Sequence, residues 1–185
     1  MLRWVPNFLT ISRILIIPIV ILAFYIQDKT FSCRLITCLF LVASITDFLD
    51  GYIARIWNAQ SDLGRFLDPI ADKLLIASII MMLVNSNKIN IFPAIAIICR
   101  EILVSGLREF LAEIRISIPV SKLAKIKTAM QMIAIFLLVL GNEGSGLYFI
   151  DILGNIFIWI AAILTVVTGY AYLEASIKHI TNQNG

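Results

Sequence analysis

Six apolar stretches occupy most of this chain, and each is about long enough to cross a bilayer as a helix. Hydrophobic residues make up 60% of the 185 residues, which is too apolar for a soluble domain of this size. We therefore predict an all-α integral membrane protein that forms a single domain over residues 1–185. The hydrophobic excess excludes a β-barrel, whose strands would alternate. The six predicted transmembrane helices cover 7–26, 33–55, 68–86, 91–112, 123–141 and 147–174.

The lysines and arginines between these stretches predict the orientation in the membrane, because cytoplasmic loops carry an excess of both. With the N-terminus in the cytoplasm, eleven fall on the inner side and three on the outer side, with Arg100 left uncounted inside its span. We therefore expect an inner-membrane protein with a cytoplasmic N-terminus. The inner set is Arg3, Arg13, Arg55, Arg65, Lys73, Arg108, Arg115, Lys122, Lys125, Lys127 and Lys178, and the outer set is Lys29, Arg34 and Lys88.

A charged segment from residue 47 to residue 72 interrupts the apolar pattern with five aspartates, two arginines and two glycines, and four of the aspartates recur at helical spacing. A charged side chain at the centre of a bilayer costs about 2.5–3.5 kcal/mol, so such a cluster persists only if something positive and functional sits among its members. If both flanks are helical, the polar and small residues fall on two faces. These faces carry Asp47, Asp50, Gly51 and Ala54 on the first helix, and Gly64, Asp68 and Asp72 on the second.

Two antiparallel helices joined by a short loop would bring the four carboxylates together. Hard oxygen ligands suit Mg²⁺ or Mn²⁺, and a cluster of this size can hold two ions. Isolated Asp–Arg pairs in membrane proteins are often structural, but four acids in register with small residues between them favour a functional site. A divalent-cation transporter is an alternative. Transport predicts acids near the midplane, whereas these cluster at one face, which the predicted orientation makes the cytoplasmic membrane interface.

The same segment follows the pattern D-x2-D-G-x2-A-R-x8-G-x3-D-x3-D, and every specified position is matched. This pattern resembles the signature of the CDP-alcohol phosphatidyltransferases. The resemblance implies an enzyme in which an acceptor hydroxyl attacks the lipid-bearing phosphorus of CDP-diacylglycerol, and CMP leaves. It also implies a homodimer in contact with membrane lipids. A net charge of only +3 gives no support for a nucleic-acid partner.

The resemblance also implies a role for each residue of the signature. Asp72 would be the catalytic general base as well as a metal ligand. The implied metal ligands are Asp47, Asp50, Asp68 and Asp72. The implied contacts to CDP-diacylglycerol are Asp47, Gly51, Ala54, Arg55, Gly64 and Asp68, with Asn7 and Thr10 from the N-terminal stretch P-N-F-L-T-I-S-R. For Asn7 and Thr10, ordinary helix capping is the alternative.

Three segments outside the signature are similar to the phosphatidylglycerophosphate synthases of this family. They are the N-terminal stretch above, R-E-I-L-V-S-G-L-R-E at 100–109 and K-I-K-T-A-M-Q-M at 125–132. This similarity implies glycerol 3-phosphate as the acceptor and phosphatidylglycerophosphate as the product. A cardiolipin synthase that uses CDP-diacylglycerol, or another choice of alcohol, is the alternative within the family. An anionic acceptor requires cations, and the candidates are Arg100, Arg108, Lys125, Lys127 and Arg13.

Four details of the helices are also predicted. The spacing of residues 64, 68 and 72 favours one long helix that continues through Pro69. Residues 141–146 (G-N-E-G-S-G) are typical of a turn, and the sixth span is assigned to the scaffold. Glu101 and Arg108 lie seven residues apart on one helical stripe, so an ion pair between them is the structural alternative to a binding role.

Overall fold

Six helices make up the part of the chain that the structure describes. The computed structural model describes residues 4–57, 62–114 and 121–183, and the side chains of 12–46, 67, 69–114 and 121–179 among them. No strand occurs in these ranges, so the predicted all-helical architecture is confirmed. The helices are α1 (Trp4–Ala23), α2 (Lys29–Trp57), α3 (Asp62–Asn85), α4 (Ile91–Glu113), α5 (Lys122–Ser145) and α6 (Phe149–Gln183).

Several of these helices are suited to a bilayer. Within the described ranges, three segments are long and apolar enough to cross a membrane, namely Lys29–Thr46, Lys122–Ser145 and Phe149–His179, and Ser12–Ala23 is a shorter apolar helix. The outer surface also carries large exposed apolar side chains, such as Phe92, Ile102 and Ile163. A water-soluble protein rarely exposes so much contiguous apolar surface. The helices and their surface therefore indicate a membrane protein.

The packing of the helices leaves one region sparsely filled. α5 packs against α6 and α2, α1 packs against α3 and α2, and α4 packs against α6. A core of branched aliphatic side chains fills the middle of the bundle, including Ile79, Leu83, Ile97, Ile135 and Leu138. α3 contacts α4 and α5 less extensively. A cleft lies among these three helices.

Two predictions concern the course of the chain at particular residues of α3 and α5, and the first is confirmed while the second is wrong. α3 begins at Asp62 and continues through Pro69, which confirms the predicted long helix. The turn predicted at 141–146 is wrong in its bounds, because the chain breaks at Gly141 (φ 54°) and then forms a further helical turn to Ser145. The carboxylate of Asp151 accepts a hydrogen bond from the backbone N–H of Asn142 at 3.1 Å, which stabilises that turn. Only glycine adopts this backbone conformation without strain.

A polar cluster closes the end of the bundle opposite the cleft. Lys88 forms an ion pair with Glu143 at 3.3 Å. Nε of Arg34 donates to the carbonyl of Gly144 at 3.0 Å, and Nδ2 of Asn155 donates to the carbonyl of Lys88 at 3.1 Å. These contacts join the start of α2, the α3–α4 connection, the end of α5 and the start of α6. The bundle therefore has two polar ends and an apolar middle.

Gly154 allows α5 and α6 to approach closely, and its replacement by alanine is expected to destabilise the protein. A Cβ atom at this position would lie 2.7 Å from Cγ of Leu138 and 3.2 Å from its backbone nitrogen. Overpacking of this kind costs about 1–3 kcal/mol, so the thermal unfolding midpoint in detergent should fall. Gly106→Ala is the matched control, because a Cβ there meets nothing within 4 Å. Equal midpoints for the two variants would contradict the close approach.

Candidate active site

The cleft among α3, α4 and α5 combines charged and apolar walls. It contains about 510 Å³ of empty space, its open mouth included. Its residues come from the middle of α3, the middle of α4 and the first half of α5, so they meet away from the end of the bundle that Lys88 and Glu143 close. Ile76, Ala77, Ile97, Ile98, Ile102 and Met132 form the apolar part of the lining, and Asp72, Lys73, Glu101, Lys127, Thr128 and Gln131 form the polar part.

A cluster of three charges, one buried and two partly buried, lies at this cleft. Lys127 is only 1% exposed, and its ammonium group donates to Oε1 of Glu101. Nη1 of Arg100 donates to the same oxygen at 3.2 Å. A buried charge is tolerated when it is paired, and here one carboxylate serves two cations. The cluster therefore keeps one formal positive charge, which suits an anionic ligand.

Asp72 lies at the cleft beside a second contact between helices. Its side chain is exposed, whereas the preceding Ala71 is buried against the core. The next residue, Lys73, donates a hydrogen bond to the hydroxyl of Ser105 on α4. This bond joins α3 to α4 where both line the site. An exposed carboxylate next to a cationic cluster can accept a proton from a hydroxyl group bound between them.

Arg108 has a different partner from the one that the helical stripe suggested. Its Cζ lies 5.9 Å from the ring centroid of Tyr172 on α6, a cation–π distance. Glu101 forms its ion pairs with Lys127 and Arg100, so the predicted alternative of a Glu101–Arg108 pair is wrong. The packing of both α4 and α5 against α6 brings a lysine to Glu101, and spacing within α4 alone gives no sign of it.

Two other predicted acceptor-binding residues lie away from this cluster. Lys125 is exposed near the start of α5, about half a helical turn from Lys127. Arg13 is buried on α1, which packs against α2 and α3. Neither residue lines the cleft. Arg100 and Arg108 do not line it either, but Arg100 pairs with Glu101, which does. Of the residues predicted for the acceptor, the structure thus brings Lys127 and Arg100 together and places Arg108 two turns further along α4.

The aspartate signature is described by its backbone. α2 runs through its first half and α3 through its second half, which confirms the predicted helical flanks. Among the side chains that the structure describes, no three His, Cys, Asp or Glu residues form a metal-binding group. The remaining predicted metal and CDP-diacylglycerol ligands have side chains outside the described set, namely Asp47, Asp50, Gly51, Ala54, Arg55, Gly64, Asp68, Asn7 and Thr10.

Four polar residues of the cleft, Lys73, Glu101, Thr128 and Gln131, are not among the site residues predicted from the sequence. Gln131 follows Lys127 by four residues and is likewise buried, so the two share the inward face of α5. That spacing is a signal that identifies Gln131. Lys73 directly follows Asp72, but its contact with Ser105 depends on how α3 and α4 pack.

Comparison with known proteins agrees with the sequence motif. Three relatives from Rickettsia species bear the name CDP-diacylglycerol–glycerol-3-phosphate 3-phosphatidyltransferase. The protein of Rickettsia felis is 53% identical over 94% of this chain and 96% of its own length. Those of Rickettsia typhi and Rickettsia prowazekii are each 52% identical over 92% of this chain, and over 95% and 93% of their own lengths. A sequence model of the CDP-alcohol phosphatidyltransferases matches residues 3–167. The chain therefore belongs to the CDP-alcohol phosphatidyltransferase family, as its aspartate signature predicted.

Proposed function

We propose that this protein transfers the phosphatidyl group of CDP-diacylglycerol to sn-glycerol 3-phosphate, which gives phosphatidylglycerophosphate and CMP. Relatives that bear the name of this enzyme are 52–53% identical and match almost the whole chain, which supports the proposal. The observation that carries it is the cleft, where Asp72 lies with the buried Lys127 and Glu101. A proton acceptor beside a cationic cluster is the arrangement that an alcohol bearing a phosphate requires.

The acceptor would bind through its phosphate and react through its hydroxyl. Lys127, Arg100 and Arg108 would hold the phosphate of glycerol 3-phosphate by charge-assisted hydrogen bonds. The hydroxyl group would then face Asp72, which takes its proton as the oxygen attacks the lipid-bearing phosphorus. A new P–O bond forms to the acceptor, the P–O bond to CMP breaks, and CMP leaves with the electron pair. The attack is direct, so no covalent enzyme intermediate is needed.

CDP-diacylglycerol and the metal would occupy the neighbouring surface of α1, α2 and α3. Asp47, Asp50, Asp68 and Asp72 would hold the divalent ions, Mg²⁺ or Mn²⁺, and two ions fit four carboxylates. When bound, the ions neutralise the charge of the diphosphate and of the departing CMP. The donor set fits this role, because it consists of carboxylates alone and the exposed Asp72 is reachable from the cleft. Gly51, Ala54, Arg55, Gly64, Asn7 and Thr10 would line the nucleotide site.

The proposed setting is the inner membrane, crossed by all six helices, with the N-terminus and the cleft on the cytoplasmic side. The charged cleft residues Asp72, Lys73 and Lys127 lie in the first halves of α3 and α5, toward the end of the bundle where lysines and arginines are in excess. A soluble acceptor would reach the site from the cytoplasm, while the acyl chains of the donor stay in the bilayer. A homodimer is proposed from the family resemblance.

A panel of acceptors tests the proposed reaction. Purified protein in detergent with CDP-diacylglycerol and Mg²⁺ is expected to release CMP with glycerol 3-phosphate, and not with phosphatidylglycerol, serine or inositol. Turnover with phosphatidylglycerol alone would show a cardiolipin synthase and overturn the acceptor assignment. If folded protein released no CMP with any acceptor, the proposed enzymatic activity would be overturned and a transporter would be favoured.

Removal of the metal is expected to stop turnover. Excess EDTA should abolish CMP release, and Mg²⁺ or Mn²⁺ added beyond the chelator should restore it, because bound ions neutralise the charge of the diphosphate. The thermal unfolding midpoint is recorded in the same samples as a control for loss of fold. Full activity in EDTA, without added metal, would contradict the proposed role of the four aspartates.

A further inference from the structure

Arg100 on α4 packs into a space that a glycine leaves on α6. A Cβ atom at Gly169 would lie 2.9 Å from Cγ of Arg100. The hydroxyl of Thr168 lies 3.5 Å from Nη2 of the same arginine, and both α6 residues are buried. Nε of Arg100 is buried and has no hydrogen-bond partner among the described residues. The missing side chain at Gly169 therefore leaves the room that Cγ of Arg100 occupies, and the surface of α6 there restrains this part of the arginine.

Arg108 contacts the same face of α6 through an aromatic ring. Its Cζ lies 5.9 Å from the ring centroid of Tyr172, and the ring is half-buried. Tyr172 follows Thr168 by four residues, so the two share one face of the helix. Both arginines of the proposed acceptor site thus lie against one short stretch of α6, a helix that the sequence alone assigned to the scaffold.

We infer that Gly169 and Tyr172 are positioning residues, which set the affinity for the acceptor phosphate by holding Arg100 and Arg108 in place. The inference rests on the proposed function, because it concerns the site proposed for glycerol 3-phosphate. Neighbouring cations repel each other, and long side chains lose conformational freedom when they bind a ligand. A close-fitting glycine surface and an aromatic ring restrain the two arginines before the acceptor arrives. They thereby reduce the entropy that binding must remove.

The test compares two substitutions of one tyrosine. Purified full-length protein is assayed for CMP release at varied glycerol 3-phosphate and, separately, at varied CDP-diacylglycerol. Tyr172→Leu removes the ring and is expected to raise the KM for glycerol 3-phosphate about five- to thirty-fold. Its KM for CDP-diacylglycerol should change less than about two-fold, because only acceptor binding is affected. Tyr172→Phe keeps the ring and should match the wild type, as should the control Tyr170→Leu at an exposed position.

A second pair of variants tests the other contact. Gly169→Ala places a Cβ against Arg100 and is expected to raise the KM for glycerol 3-phosphate in the same selective way. Gly106→Ala is its control, because the added Cβ meets nothing within 4 Å. Thermal midpoints are measured for every variant. If Tyr172→Leu does not fold, the Gly169→Ala and Gly106→Ala pair decides the outcome.

Three results would overturn the inference in an active wild-type background. The first is an unchanged acceptor KM in a folded Tyr172→Leu or Gly169→Ala variant. The second is an equal loss in Tyr172→Phe and Tyr172→Leu, and the third is a parallel rise in the KM values of both substrates. Failure of the proposed function has a different signature, because the wild type itself would then release no CMP in response to glycerol 3-phosphate.

Discussion

Asp72→Asn is expected to lower the turnover of CDP-diacylglycerol by about 10²–10⁴-fold, the contribution of a positioned general base. Asparagine preserves the size and much of the hydrogen bonding of aspartate, but it does not accept the proton of the acceptor hydroxyl and binds metal weakly. The side chain is exposed at the cleft, so the substitution leaves the core of α3 unchanged. The measurement is CMP release at saturating glycerol 3-phosphate and Mg²⁺, together with the thermal midpoint in detergent.

Asp28→Asn is the matched control for this loss. Asp28 is exposed just before α2, at the opposite end of the bundle, where its carboxylate accepts a hydrogen bond from the backbone N–H of Phe31 at 3.1 Å. Asparagine retains that acceptor, so activity and stability should stay at wild-type values. Asp72→Asn with more than about a tenth of wild-type turnover would be incompatible with a general base at this position.

Lys127→Met is expected to raise the KM for glycerol 3-phosphate by about 10- to 100-fold, because a charge-assisted hydrogen bond contributes roughly 1.5–3 kcal/mol. Methionine fills similar space without a charge. The KM for CDP-diacylglycerol should change far less, because Lys127 belongs to the proposed acceptor site. Initial rates of CMP release at varied concentrations of each substrate separate the two effects.

The loss of a buried cation also affects stability, so this variant needs two controls. Breaking a buried ion pair costs about 3–5 kcal/mol, although Arg100 still pairs with Glu101 in the variant. Lys127→Arg keeps the charge and should recover part of the acceptor affinity. Lys122→Met removes an exposed lysine from the first turn of the same helix and should behave as wild type. Equal KM values in Lys127→Met and Lys122→Met would contradict a phosphate-binding role for Lys127.

Periodicity and fixed spacing made a large part of this fold predictable. The spacing of residues 64, 68 and 72 places them on one face only if the helix continues through Pro69, and α3 does so. The aspartate signature was enough to identify the family, because each of its positions constrains the chemistry of one site. The helical phase of α5 also distinguishes its two candidate acceptor-binding lysines, since Lys127 lies on the same face as the buried Gln131 and Leu138, and Lys125 does not.

Contacts between distant helices were not predictable in the same way. The sequence suggested a partner for Glu101 within α4, because spacing reports only neighbours on one helix. Its pairing with Lys127, on another helix, depends on how α4 and α5 both pack against α6. No sequence motif includes Tyr172 or Gly169. Their inferred positioning role follows from the face of α6 that packs against α4. Tertiary packing, rather than local pattern, therefore completes the site.

The most direct test of the central proposal follows isotopic label from glycerol 3-phosphate into lipid while CMP is measured in the same reaction. With purified protein, CDP-diacylglycerol and Mg²⁺, the proposal predicts one labelled phosphatidylglycerophosphate for each CMP released. Both products should be absent when either substrate is omitted. Release of CMP without transfer of label to lipid, or transfer of label without release of CMP, would contradict direct phosphatidyl transfer to this acceptor.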